Sequence, residues 1–296
     1  MNYTISNGIY TAPVSSHGAE LISIKHNLSD SEIIWQSNNE QFWSKHSPLL
    51  FPFCGRLKDK KYSYRGYSYG MSAHGFISGK EFSLISNTAD TVVLEFTSDA
   101  ETLAVYPFSF TFVASYKLSD NGIECKVSVT NTGDEVMPFM FGWHPGFMLP
   151  NGNDAEIESY EIFFDKNLKS VTWIPLQHGC FARIHGEEYV LGGGKYRLNE
   201  EEIYKNDTMI FKGCPNSATL RSCASGYSLS LKWSKNTPVL CIWKEPSSEA
   251  RFICIEPWSN SIGDGESDEV LEKRDMIRLG TGKTEVFTYC FGLSQA

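Results

Sequence analysis

The chain lacks most of the signals that announce metal, redox, nucleotide or membrane chemistry. Its eight cysteines (Cys54, Cys125, Cys180, Cys214, Cys223, Cys241, Cys254 and Cys290) include no CxxC pair, so neither a zinc ribbon nor a dithiol redox centre is indicated. The seven histidines (His17, His26, His46, His74, His144, His178 and His185) show no HxH or HxxxH spacing. A metal centre is therefore disfavoured, and no cofactor is expected. Gly192-Gly193-Gly194 is followed by Lys195-Tyr196 and lacks a strand-turn-helix setting, so it reads as a turn and not as a phosphate-binding loop. No uncharged apolar stretch approaches the roughly 18 residues of a membrane span. The start, Met1-Asn2-Tyr3-Thr4-Ile5-Ser6, has neither basic residues nor an apolar run, and no signal peptide is expected. A net charge of −9 argues against nucleic acid or an anionic membrane as partner, since both need concentrated Lys and Arg. The cysteines sit mostly in apolar strand-like runs, as reduced core residues of a cytoplasmic protein would.

Helical periodicity is also scarce. Short apolar or alternating runs recur every ten or so residues between turn signals, the pattern of a β-sandwich or barrel. Clear examples are residues 91–97, 110–118, 122–130, 227–233, 239–243, 251–256 and 286–292. Ser119-Asp120-Asn121-Gly122 should close an antiparallel hairpin, because Asn and Gly tolerate positive φ. Short helices fit at 98–105, where Ser98 or Asp99 can cap, and at 199–204. The charge runs Glu187-Glu188, Glu200-Glu201-Glu202 and 266–273 read as solvated loops. With 296 residues, 41% of them hydrophobic, and no linker-like segment, the expectation is one all-β domain spanning 1–296.

Four stretches could carry chemistry. In Phe139-Met140-Phe141-Gly142-Trp143-His144-Pro145-Gly146-Phe147, Pro145 holds His144 extended, while Phe141, Trp143 and Phe147 offer the flat surfaces on which a sugar ring is received. A buried core histidine would fit the same segment. Phe51-Pro52-Phe53-Cys54-Gly55-Arg56-Leu57 places an arginine among apolar residues, where its five donors call for a polar ligand or a carboxylate. Met71-Ser72-Ala73-His74-Gly75-Phe76 adds a second histidine of either kind. Arg251-Phe252-Ile253-Cys254-Ile255-Glu256-Pro257-Trp258 ends an apolar strand on a carboxylate. Desolvation there would raise its pKa toward the range of a general base, unless Arg56 or backbone donors satisfy it.

Taken in order, Phe-Pro-Phe-Cys-Gly-Arg-Leu at 51–57, His-Gly-Phe at 74–76, Gly-Trp-His-Pro-Gly-Phe at 142–147 and Ile-Glu-Pro-Trp at 255–258 resemble the aldose 1-epimerase (galactose mutarotase) family, particularly its LacX-like branch. The resemblance runs from about Ile5 to Leu293. It implies a large antiparallel β-sandwich, the supersandwich, and interconversion of the α and β anomers of a free aldose without metal or nucleotide. It also implies roles. Glu256 would take the proton of the C1 hydroxyl while His144 protonates the ring oxygen, and Arg56 and His74 would bind the ring oxygen or nearby hydroxyls. Asp207 matches a sugar-binding aspartate by position along the chain. Ile77-Ser78-Gly79-Lys80 and Trp143 depart from the branch's usual residues, which bears on the sugar and not on the acid and base. Burial is expected to raise the pKa of Glu256, and the neighbouring carboxylate to raise that of His144.

Two other readings stay open. A hexose-6-phosphate mutarotase would use the same pair and add a cationic pocket, for which Arg56, Lys58, Lys60, Lys61 and Lys80 are the available residues. A non-catalytic sugar-binding protein would keep the groove without needing an acid-base pair. The partner expected in every case is a small-molecule sugar, with the chain a monomer or homodimer.

Overall fold

The computed structural model describes residues 1–37, 42–150, 156–177, 181–182, 185–246, 249–263, 270–272 and 274–294. Cys180 and His178 lie outside them, as do most of 266–273. Two antiparallel sheets form the body. The larger has nine strands in the order Lys195–Arg197, Tyr160–Phe163, Ser217–Ser222, Ser228–Trp233, Thr284–Leu293, Gly122–Asn131, Phe110–Ser119, Thr91–Thr97 and Ser83–Asn87. The other runs Glu187–Val190, Ser170–Trp173, Thr208–Lys212, Val239–Trp243, Phe252–Trp258, Gly142–Trp143 and Leu49–Leu50, with Gly146–Met148 also paired to Phe252–Trp258.

The alternating sequence explains why the sheets meet. Phe110–Ser119 reads buried at every second residue, so one pleat face is apolar and must be covered. Across the gap Phe287 packs on Phe139 and Phe141, Phe291 packs on Phe147, and Tyr289 donates its hydroxyl to the Ile255 carbonyl at 3.0 Å. The strand Phe252–Trp258 is buried along its whole length, because one face meets this core and the other faces an aromatic layer containing Trp35, Trp43 and Trp243. The larger apolar cluster takes in residues from Ile5 to Phe291, and a smaller one contains Trp35, Ala250, Phe252 and Cys254.

Most expected elements are present. The hairpin pairs Phe110 with Asn131 through to Ser119 with Gly122. Asp99 caps the helix Ala100–Val105 in a reciprocal box with Thr102, and the Gly192–Gly194 segment is a turn. The helix expected at 199–204 is present as Glu200–Asn206, which corrects the reading of its acidic residues as a loop. Glu200-Glu201-Glu202 forms the first turn of the helix Glu200–Asn206, capped by Asn199, where negative charge complements the helix dipole. Glu202 also accepts the Tyr189 and Tyr196 hydroxyls at 3.1 Å each. Glu187 and Glu188 lie on the exposed strand Glu187–Val190. The seven described cysteines are all free, and among the described residues no helix is long and apolar enough to cross a membrane.

Candidate active site

The site is assembled by three segments that converge on the strand Phe252–Trp258. Alternation along this strand puts Phe252, Cys254, Glu256 and Trp258 on one face, and its register sets Cys241 opposite Glu256 and Trp243 opposite Cys254. The segment 51–57 is tied to 71–77 by His74 N–H donating to the Gly55 carbonyl at 2.8 Å and Gly55 N–H donating to His74 Nδ1 at 3.2 Å. Gly75 makes that closeness possible. It has φ +77°, and a Cβ there would lie 2.1 Å from the Phe51 carbonyl oxygen. The third segment carries His144, whose N–H bonds the Pro48 carbonyl at 3.1 Å. Gly142 lets this backbone approach closely, since a Cβ would meet the Trp258 ring at 2.5 Å.

The result is a cavity of about 400 Å³ lined by Trp43, Lys45, Arg56, His74, His144, Asp207, Trp243, Glu245, Glu256 and Trp258, among others. At its floor His144 Nε2 stands 3.4 Å from Glu256 Oε2. Glu256 is 1% exposed and His144 8%. The His144 ring stacks on Trp43 at 4.9 Å and 26°, and meets Trp243 and His74 edge-on at 5.7 and 5.3 Å. These rings leave the imidazole little freedom.

Burial governs the electrostatics. It pushes the Glu256 carboxyl well above the usual carboxylate range, and the Trp258 indole opposes this only weakly, making no aligned hydrogen bond. His144 is held well below an ordinary histidine, first by burial and then by His74. That reverses the expected direction for His144, because the cost of burying a cation outweighs the nearby carboxyl group. The two shifts act together: between the depressed value of His144 and the raised value of Glu256 the pair holds one proton and no net charge. His74 falls to about 4, through burial and then the Arg56 charge. It is therefore neutral at pH 7. Its Nδ1 accepts from Gly55, so Nε2 carries the hydrogen and is the ring's free donor.

Five of the six residues expected at a site meet at this cavity: Arg56, His74, His144, Asp207 and Glu256. Arg56 is exposed at the mouth and makes no ion pair among the described residues, but its charge acts on both His74 and Asp207. Asp207 is exposed at the cavity rim, with a pKa raised by partial desolvation and opposed by the Arg56 charge, and sits at φ +62° just after the helix Glu200–Asn206. Trp143 is a correction. Adjacent residues of an extended chain point to opposite faces, so with His144 in the cavity Trp143 enters the core, 2% exposed and against Phe141 and Tyr289. Phe141 and Phe147 are buried there too. The aromatic walls come from Trp43, Trp243 and Trp258 instead. Trp43 and Lys45 lie in a stretch with no periodic pattern to place them, and Trp243, although on a recognised strand, is placed at the site only by that strand's register against Phe252–Trp258. Lys58, Lys60 and Lys61 are exposed outside the cavity, and Lys80 pairs with Glu101 at 2.9 Å.

These placements give a paired test. Trp143→Ala should cost about 3–5 kcal/mol of stability, as large core truncations do, which thermal melting would register. Trp43→Ala should cost less stability, since Trp43 is only partly buried, yet should lower kcat as well as raise KM about 2- to 10-fold, because the ring both holds the His144 imidazole and offers an aromatic face worth ~0.5–1.5 kcal/mol. The opposite pattern would put Trp143 back at the substrate.

With this geometry in view, the comparisons with known proteins are decisive. Residues 1–270 match the family model described as aldose 1-epimerase. The chain belongs to the aldose 1-epimerase family. The chromosomal LacX protein of Lactococcus lactis is 26% identical over 284 residues, covering 94% of each chain. The galactose mutarotase related enzyme of Lactobacillus acidophilus superposes with a TM-score of 0.91 at 29% identity, covering 100% of this chain and 98% of its own. A galactose mutarotase-like protein of Lactobacillus casei gives 0.90 at 25% identity, covering 99% and 100%. The fold is therefore the large antiparallel β-sandwich of the galactose mutarotases, and membership of this family points to isomerase chemistry on a small-molecule sugar.

Proposed function

We propose that this protein is an aldose 1-epimerase that equilibrates the α and β anomers of a free hexose such as galactose or glucose. The observation that supports it most is the buried pair of His144 Nε2 and Glu256 Oε2, 3.4 Å apart at the floor of an aromatic cavity. A binding protein has no need of two ionisable groups sharing one proton in a dry site. Ring opening needs that arrangement. In the carboxylate-imidazolium tautomer Glu256 accepts the C1 hydroxyl proton as His144 protonates the ring oxygen. The C1–O bond breaks, the aldehyde turns about C1–C2, and closure on the other face returns both protons. The pair is neutral at the start and at the end, so no net charge is buried at any stage. Neutral His74 donates through Nε2 to the ring oxygen or a neighbouring hydroxyl without competing for the transferred proton. Arg56, Asp207 and Glu245 supply polar contacts for the remaining hydroxyls, with Trp243 and Trp258 as walls.

Polarimetry of freshly dissolved α-glucose, α-galactose and glucose 6-phosphate tests this. Catalysed decay toward equilibrium is expected on at least one free sugar, at a rate unchanged by a strong chelator, because the acid and base are side chains. No acceleration of any of the three would overturn the reading. Lys45 and Arg56 both line the cavity, which is the one feature favouring a phosphorylated sugar. A strong preference for glucose 6-phosphate, selectively lost in Arg56→Lys, would move the substrate to that class, since lysine cannot reproduce a bidentate fork.

A further inference from the structure

We infer that the acid-base pair, together with Cys254, forms an inhibitory site for a thiophilic divalent cation, with zinc the best fit. Cys254 has no part in the proton transfers, yet it lies two residues before Glu256 on the same strand and so on the same face. One donor atom each from His144, Cys254 and Glu256 lie within 4.8 Å of one another, all three residues buried. An ion centred in a triangle of that side would be about 2.8 Å from each atom, against ~2.0–2.3 Å for zinc bonds to nitrogen, oxygen and sulfur. Small side-chain rotations close that gap. One polar atom awaits a partner: His144 Nδ1 is buried without a hydrogen bond, while Glu256 Oε2 has the 3.4 Å contact with His144 Nε2 and no aligned hydrogen bond. Sulfur, imidazole nitrogen and carboxylate oxygen are a donor set that zinc takes readily, with a fourth position left for water or a sugar hydroxyl.

The charge balance suits a dry site. Binding releases two protons to solvent, one from the Cys254 thiol and one from the His144–Glu256 pair. The thiolate and carboxylate then cancel the dication, so a neutral cluster replaces a neutral cluster. Inhibition follows because the lone pairs that must accept and donate protons are held by the metal.

The proposal uses the mutarotase reading only for its activity measurement; cobalt absorption reads the metal directly. Chelator-treated wild-type protein should lose at least ten-fold in mutarotation rate with excess zinc and recover on renewed chelation. Cobalt should produce an intense near-ultraviolet thiolate-to-metal band. Cys254→Ala should keep the untreated rate, resist zinc, and show no such band with cobalt. A band with no mutarotation in the metal-free protein would uphold the metal site and sink the enzyme reading. Full activity at excess zinc with no cobalt band, or zinc inhibition undiminished in Cys254→Ala, would overturn the site.

Discussion

Glu256→Gln and His144→Asn should each lower kcat/KM by about 10² to 10⁴, the usual contribution of a positioned proton transfer, or roughly 3 to 5.5 kcal/mol of barrier. Both changes keep the shape and remove the chemistry. The glutamine side chain of the first variant would occupy the same buried volume without a transferable proton, and a neutral amide is easier to bury than a carboxyl group that must ionise in each cycle. Thermal melts should therefore stay close to wild type. Because the two groups exchange one proton, the losses should not multiply: the double variant should be little worse than the poorer single one. Polarimetry on the sugar that wild type turns over fastest, beside melting curves, would check this. Near wild-type mutarotation in either variant would remove that residue from the proposed mechanism, and a well-folded double variant whose loss equals the product of the two would show that they do not work as a pair.

How far these residues were legible in the chain depended on distance along it. The strands 110–118 and 122–130 were readable because alternation and an Asn-Gly turn are local signals, and the structure pairs them residue for residue. His144 and Glu256 were marked by their local settings, each followed by proline in an apolar run. Their 3.4 Å contact, made between distant parts of the chain, had no counterpart in either segment; the family resemblance put both at one hemiacetal, and only the structure shows them touching. Trp143 was misplaced although the signal was present: parity with His144 sends it to the other face. Trp43 could not be placed at all, since its position under His144 rests on a loop whose Trp43 carbonyl is held by the Trp35 indole at 2.9 Å. The direction of the His144 shift was likewise out of reach, because it depends on how completely Trp43, Trp243 and His74 exclude water from the ring.

That shift decides the pH dependence. The active form of the pair carries one proton, and it is lost in two ways. Below the depressed value of His144 the pair gains a second proton, leaving a cation and no base; above the raised value of Glu256 it loses its only proton, leaving an anion and no acid. The bell for kcat/KM should therefore hold its plateau through about pH 6.5, where a free histidine would titrate, with its acid limb below that. The limbs belong to the pair, but substitution should still sort them: His144→Asn should lose the acid limb and Glu256→Gln the alkaline one. This is the reverse of what ordinary pKa values for a free Glu and a free His would give. A control is needed at the acid end. His74 sits at about 4 in the folded protein, so between there and ~6.5 the unfolded chain binds more protons, and stability falls as pH drops through that range. Melting temperatures measured at each pH separate this loss from the catalytic limb. A rate that halves near pH ~6.5 in fully folded protein, with that limb surviving in His144→Asn, would show that burial does not set the protonation of the pair.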